Sequence, residues 1–542
     1  MATVPHIPLQ VRRGEEWVTL DPAPGPNVGF SELRGVELRI PEGREAPEGC
    51  RLLVDDEPLD SRSPGVWVWK PGFYAGAVRA DLLAPDGGPL GRWQLDVSPD
   101  PRKLGRNVFV EMVDEILNHD PELVLGAEPA RHRLGALGET DDPLVALERL
   151  RHRKKPLARA SAAIQREPRS VLRTRRERVP LHRVRRADLR TLRTALRETA
   201  ALAAFPLAHP AEIVASSARP PFFDTPAVER SLDSPANRAA LYMLRALRRR
   251  AEGLLERLRI KAEQKGKEGI RTGIGSRLPR WEEVLTGMSR SFERAERRSP
   301  FWDARRPEIT AAGLNAVAAH PVYAQFWRTG WEALRRGIHR GDADDLPLSP
   351  TWEIYERWCF VELTRRLREW LPEPEWRESR GRRAGDRRWV RFRRGSDAAI
   401  WLFLQKTAPR DGADLGSVSA QVRPDIVLRR EGLAKRSGFV ILDAKYIASG
   451  EGIVGGMKDS AHPYQDALRW DGERPDATLL LVPDVAQAEF LSEPAFVAEN
   501  RVGAITLLPG AAPPDWFRDL LLGGILPEPN HADAGQGPPA PV

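Results

Sequence analysis

Two cysteines, Cys50 and Cys359, stand far apart among 542 residues, so no disulfide framework holds this fold together. No run of roughly 18 apolar residues occurs, which leaves no candidate membrane-spanning helix. The opening MATVPHIPLQ lacks the charged start and apolar stretch of a secretory signal, and a cytoplasmic, membrane-free protein is expected. Ten histidines show neither HExxH nor Cys/His pairs at zinc spacing, and there is no G-x-S-x-G elbow. The glycines of GKEGIRTGIGS (266–276) lack the GK[ST] ending of a phosphate-binding loop, so this stretch reads as a flexible loop. Any NTP chemistry would belong to a partner.

What is present is length, loops and positive charge. The chain is too long for one hydrophobic core, and two to four domains are expected. A formal charge of +8 and a pI near 9.6 favour a polyanionic partner, with nucleic acid the first candidate. Residues 1–105 alternate short β-rich runs such as VELRI, VWVWK and RWQLDV with Gly/Pro turns and read as a β-rich module. Residues 106–345 turn helical, with Leu and Ala recurring at three- and four-residue spacing in LYMLRALRRRAEGLLERL. Residues 346–526 begin with an apolar-rich helix (351–371). Strands follow near 388–393, 398–405, 418–429 and 438–446, then a helix at 461–470 and strands at 477–482 and 502–508. The expected class is therefore multi-domain α+β, with a C-terminal α/β unit on a mixed sheet. The Pro/Gly/Ala-rich end, 527–542, reads as a disordered tail.

Most of the excess charge sits between Arg151 and Arg193, where sixteen Lys/Arg face only Glu167, Glu177 and Asp188. Two readings stand: a solvated helical face, or a phosphate-contacting surface in which Arg173, Arg175, Arg176, Arg185 and Arg186 bind without reading sequence. The 16 tryptophans, Trp67 and Trp69 among them, serve either as core or as platforms for flipped bases.

The chemistry concentrates in VSAQVRPDIVLRR (418–430) and GFVILDAKY (438–446), joined by a turn-compatible segment containing Gly432. Strand alternation puts Phe439, Ile441, Asp443 and Lys445 on one face. A hairpin loop centred near 433–434 sets Asp425 opposite Leu442 or opposite Asp443. In the second register the two aspartates are cross-strand neighbours with Cβ atoms about 4.5–5.5 Å apart. Carboxylates that close repel unless a cation lies between them. A hard divalent ion such as Mg²⁺ suits them, with Mn²⁺ a possible substitute, and the Ala444 carbonyl would complete the coordination. Lys445 would orient water or stabilise charge building on the phosphate.

Pro424-Asp425 followed by Asp443-Ala444-Lys445 resembles the PD-(D/E)XK, or restriction-endonuclease-like, nuclease superfamily. WEIYERWCFVEL (352–363), VRPDIVL, LDAKY and MKDSAHPYQDAL (457–468) look like the nuclease domain of McrC-related proteins, including a family with an uncharacterised N-terminal region. LDSPANR (232–238) resembles an Asp-Thr-Pro-Glu-Asn-Arg motif of that family, with Ser234 and Ala236 as departures. The resemblance implies a restriction-endonuclease fold, Mg²⁺-dependent DNA cleavage, defence against foreign DNA, and a separately encoded McrB-like AAA+ motor. It also suggests Glu356 as an extra acidic ligand in preference to Glu353, and contacts from Tyr464, Gln465 and Asp466 to phosphates or to Lys445. A non-catalytic DNA-binding scaffold and an RNA-directed nuclease are the rival functions, and the oligomeric state stays open.

Overall fold

Within 7–523, the computed structural model describes all residues but 24, 45–46, 101–102, 121–122, 125–130, 135–141, 181–182, 198–221, 268–273, 336–343, 382–387, 397, 413 and 433–436. The C-terminal tail and most of the glycine-rich stretch 266–276 lie outside the described residues. Among the described residues no helix is long and apolar enough to cross a membrane.

The alternating N-terminal runs form two sheets. One has five strands, with Gln10–Arg13 and Val36–Arg39 at its centre, and the other is built on the antiparallel pair Gly76–Leu83 and Pro89–Ser98. Trp67 and Trp69 are 2% and 3% exposed and fill the core between these strands, which leaves no ring face for a base. The second sheet also takes in Arg131–Leu134 and Asp344–Pro347, so the chain returns to this module just before entering the C-terminal region. There the helix Thr351–Trp370 packs on Arg106–His119, the Trp358 indole donating to Glu115 at 2.5 Å. Buried Arg357 reaches back to the Leu123 carbonyl at 2.6 Å. One apolar core runs without a break from Leu9 and Trp93 through Ile354 and Trp358 to Leu442 and Phe517. The chain divides into two units, and residues 1–145, 261–280 and 336–542 form the first of them.

The second unit comprises 146–260 and 281–335. It is helical, as its three- and four-residue periodicity predicts, with one addition. Val171–Pro180 and Phe222–Ser231 pair antiparallel as a ten-residue ribbon. The basic stretch is therefore helical to Arg166, a strand over Val171–Pro180, and helical again from Leu189.

The C-terminal sheet has seven strands in the order Arg377–Gly381, Arg388–Arg394, Ala398–Leu404, Ile426–Glu431, Gly438–Ala444, Ala477–Val482 and Val502–Thr506. The first five run antiparallel to their neighbours, and the last two join in parallel, giving a mixed sheet of restriction-endonuclease-like type. Every residue of ATLLLV is buried, as expected of a strand covered on both faces. Two expected elements differ in detail. The strand expected at 418–429 begins only at Ile426 and runs to Glu431, while the short strand Leu415–Ser417, which pairs with Leu468–Trp470, ends just before the expected start. Pro424 lies in the gap and has no N–H to offer a ladder. The expected helix at 461–470 starts earlier, as a π-turn at Met457–Ala461, and stops at Ala467.

Candidate active site

The strands Ile426–Glu431 and Gly438–Ala444 pair with Ile426 facing Leu442, the register in which Asp425 comes opposite Asp443. Gly432 at φ +62° opens the connection, a left-handed backbone in which glycine carries no Cβ penalty. The loop residues 433–436 lie outside those described. Val440 and Leu442 point into the main core, while Phe439 and Ile441 join a second cluster on the other face. By alternation Asp443 and Lys445 share that second face.

The side chains converge. Asp425 Oδ2 accepts the Ala444 N–H at 2.9 Å, locking its carboxylate to the neighbouring strand. Asp443 is 1% exposed, and its Oδ2 takes both Lys445 Nζ and the Ser460 hydroxyl at 2.7 Å. Glu356, on the helix Thr351–Trp370, is also buried and accepts from Gln405 Nε2 at 2.6 Å. Glu353 is instead engaged by Arg357 one turn on.

Acid outnumbers base here, and the electrostatics show it. Burial pushes the Asp425 carboxyl well above the usual aspartate range, and the charges of Glu356 and Asp443 push it further. Burial pulls the Lys445 ammonium down, but the facing charges of Asp443, Asp425 and Glu356 outweigh that, and its net shift is upward. Lys445 is thus held charged, a donor and not a base. Among the described residues no group of three or more His, Cys, Asp or Glu side chains could hold a metal ion. The residues nevertheless fit a hard divalent cation in its commonest protein setting, one or two carboxylates with waters and substrate oxygens completing the shell. Asp425 and Asp443 supply that pair, and without a cation burial and the charges of Glu356 and Asp443 favour the protonated form of Asp425.

Residues 353–470 match the PD-(D/E)XK nuclease superfamily, and residues 70–296 match DUF2357, a domain of unknown function. The nuclease likeness is thus confined to the C-terminal region, residues 353–470. No curated protein matches it. A solved assembly of Thermococcus gammatolerans McrB AAA+ hexamers with bound McrC is similar at 12% identity, over 78% of this chain and 72% of that one, with a TM-score of 0.21.

The supporting residues of this C-terminal region are placed unequally. The Tyr464 hydroxyl is pushed up by burial and then by the charges of Asp443, Asp425 and Glu356, which sets it in the field of the acids. Gln465 is buried and occupied at both ends, donating to the Pro475 carbonyl and accepting from Thr478 Oγ1, both at 2.9 Å. It pins the short helix His462–Ala467 to the sheet. Asp466 is exposed and pairs with Arg474 at 3.3 Å. Of the basic candidates, Arg173 is tied to Asp233, Arg175 to Glu177 and Glu229, and Arg176 to Asp188 and Asp224. Arg185 and Arg186 are exposed.

Three contributors escape a sequence reading. Ser460 reaches Asp443 because the helix opens into a π-turn, a local widening often found at functional sites. Gln405 follows the strand Ala398–Leu404 and bridges Glu356 to Arg423. Glu32, from the N-terminal module, is 3% exposed and accepts from the Tyr446 hydroxyl and Thr351 Oγ1 at 2.8 Å and from the Asp100 N–H at 2.9 Å. Tyr446 directly follows Lys445, so this distant carboxylate braces the end of the acid-bearing strand.

Proposed function

We propose that the chain is the endonuclease subunit of a McrBC-like restriction system, hydrolysing DNA phosphodiester bonds by attack of water at the Asp425–Asp443 pair. The observation that carries this reading is the cross-strand meeting of buried Asp443 and half-buried Asp425 with one charged lysine. A divalent cation, Mg²⁺ or in its place Mn²⁺, would be held by Asp425 and Asp443 and would supply an acidified water and a polarised phosphate. Glu356 and the Ala444 carbonyl are the further candidates to complete its shell.

The chain's own groups do the rest. The Ala444 N–H fixes Asp425, and Ser460 fixes Asp443, so neither carboxylate has to be ordered when substrate arrives. The Lys445 ammonium, kept protonated by the acids around it, donates to the phosphate oxygen on which negative charge builds. Tyr464 lines the same space and would contact a backbone phosphate.

A separate AAA+ NTPase partner, a cytoplasmic setting and a role against foreign DNA rest on the likeness of 352–363, 438–446 and 457–468 to McrC-related nucleases. The test uses the purified full chain with plasmid DNA and Mg²⁺ or Mn²⁺, with and without the protein of any neighbouring AAA+ gene. Nicking or linearisation by the wild type and none by Asp443→Ala is expected. Equal cleavage by the mutant defeats the assignment.

A further inference from the structure

The sheet face that bears the acids continues into a feature that hydrolysis does not use. Along the strand Ile426–Glu431 alternate positions share this face, so Asp425, just before the strand, is followed on the same side by Val427, Arg429 and Glu431. Val427 packs there with Phe403, Phe439, Ile441 and Trp470. At Arg429 and Glu431 a cavity of about 240 Å³ opens.

Its walls are aromatic rings. Trp401 lies nearly parallel to Phe403 with centroids 5.7 Å apart, and Phe403 meets Trp470 at 5.9 Å. Cations stand over the same rings, with Lys406 Nζ 4.8 Å from the Phe403 centroid and the Arg429 guanidinium 5.0 Å from that of Trp470. Acceptors face them: Glu431 takes the Trp401 indole N–H at 3.0 Å, and Asp471 takes one nitrogen of Arg429 at 2.7 Å. The Arg429 side chain is only 9% exposed, yet its Nε has no hydrogen-bond partner. Buried polar atoms are seldom left so.

A simple anion would meet the carboxylates of Glu431, Asp471 and Asp414, and a simple cation would meet Lys406 and Arg429. A flat, neutral ring with donors and acceptors on its edge suits both sets and stacks on the aromatic walls. We propose that this cavity is a subsite for one unpaired nucleobase of the strand that passes the carboxylate pair, an inference that rests on the nuclease reading above. Arg429 lies four positions beyond Asp425, about 13 Å at the rise of a β-strand, so one nucleic-acid strand can occupy both places. Stacking tolerates any base, and the polar edge adds preference.

The test is an abasic scan. The full chain, in EDTA so that nothing is cut, is titrated against short fluorescent single-stranded DNAs carrying one abasic site at successive positions. One position is expected to weaken binding about tenfold, the loss typical of one stacked base, while its neighbours change little. Trp401→Leu is expected to weaken the intact oligonucleotide about equally and to flatten the scan. Lys406→Met serves as the second variant if thermal melting shows that Trp401→Leu does not fold. A flat scan with the wild type, or an unchanged scan with a folded variant, overturns the subsite. Cleavage with a flat scan removes the subsite alone, whereas a single sensitive position in a protein that never cuts DNA removes the nuclease reading and leaves the subsite standing.

Discussion

Buried Asp233 and half-buried Asp425 are both acids held by hydrogen bonds, and their surroundings send them in opposite directions. In the helical unit Asp233 accepts two bonds from Arg238, at 2.6 and 2.7 Å, one from Arg173 at 2.9 Å and one from the Arg305 N–H at 3.2 Å. The Arg238 guanidinium above all holds its carboxyl well below the usual range. Around it Ser234 caps the helix Pro235–Lys267, and Asn237 donates to the Arg169 and Leu232 carbonyls while accepting from Tyr323. The LDSPANR segment is thus a self-contained structural knot. In the C-terminal domain Asp425, Asp443 and Glu356 share one lysine, and Asp425 is driven up. An acid with surplus partners builds structure, and acids with too few partners leave a place for a cation.

The sharpest break of this contrast is catalytic. Asp443→Ala should lower DNA cleavage by about a thousandfold, the order expected when a group organising transition-state charge is lost, whereas Asp233→Ala should leave cleavage per folded molecule unchanged; gel assays normalised to folded protein compare them. Stability should reverse the ranking. Asp233→Ala leaves Arg238 with Glu308 and Arg173 with the backbone carbonyl at 233 but removes the carboxylate both share, and should cost about 3 kcal/mol in denaturant melts that follow the helical unit.

Metal addition should act on one centre only. Mg²⁺ at a hundred times its Kd should stabilise the wild type by about 2.7 kcal/mol, and this gain, read as a rise in Tm, should vanish in Asp443→Ala but persist in Asp233→Ala. A smaller effect separates the centres by pH. In EDTA, ionised Asp425 opposes folding once pH rises above the ordinary aspartate value, about 3.9, so Asp425→Asn should stabilise the metal-free protein at neutral pH by about 1 kcal/mol. Asp233 works the other way: its contribution is complete above that value and fades as pH falls toward its depressed folded value. The smallest expected change concerns the arginines. Arg173→Gln should act on stability, because that side chain serves Asp233, while Arg185→Gln with Arg186→Gln should lower the salt slope of DNA binding by about 1 to 2.

The acid pair was legible because it is local. Six residues lie between Glu431 and Gly438, and alternation with an apolar run on either side gives the shared face and narrows the register to two neighbouring pairings, of which the structure takes the one with Ile426 facing Leu442. Contributions from far along the chain left no such trace. The ribbon strand Val171–Pro180 is dense in arginine and pairs with residues about fifty positions on, so its charge reads as a solvated surface while its partner is invisible. Ser460 needs a π-turn to aim at Asp443, and helical periodicity does not forecast one. Glu32 lies 414 positions before Tyr446, and nothing near it announces that it will meet a hydroxyl there. Pro424 did carry a signal for the interrupted strand, but the apolar residues around it masked the break.

The bond from Tyr446 to Glu32 ties the N-terminal module to the end of the strand that carries Asp443. A fragment starting near residue 346 would lose the carboxylate that seats two buried hydroxyls and one wall of the core behind Leu442. Cutting the chain there divides a single compact unit, so sequence drift in the first hundred residues is felt at the acid pair.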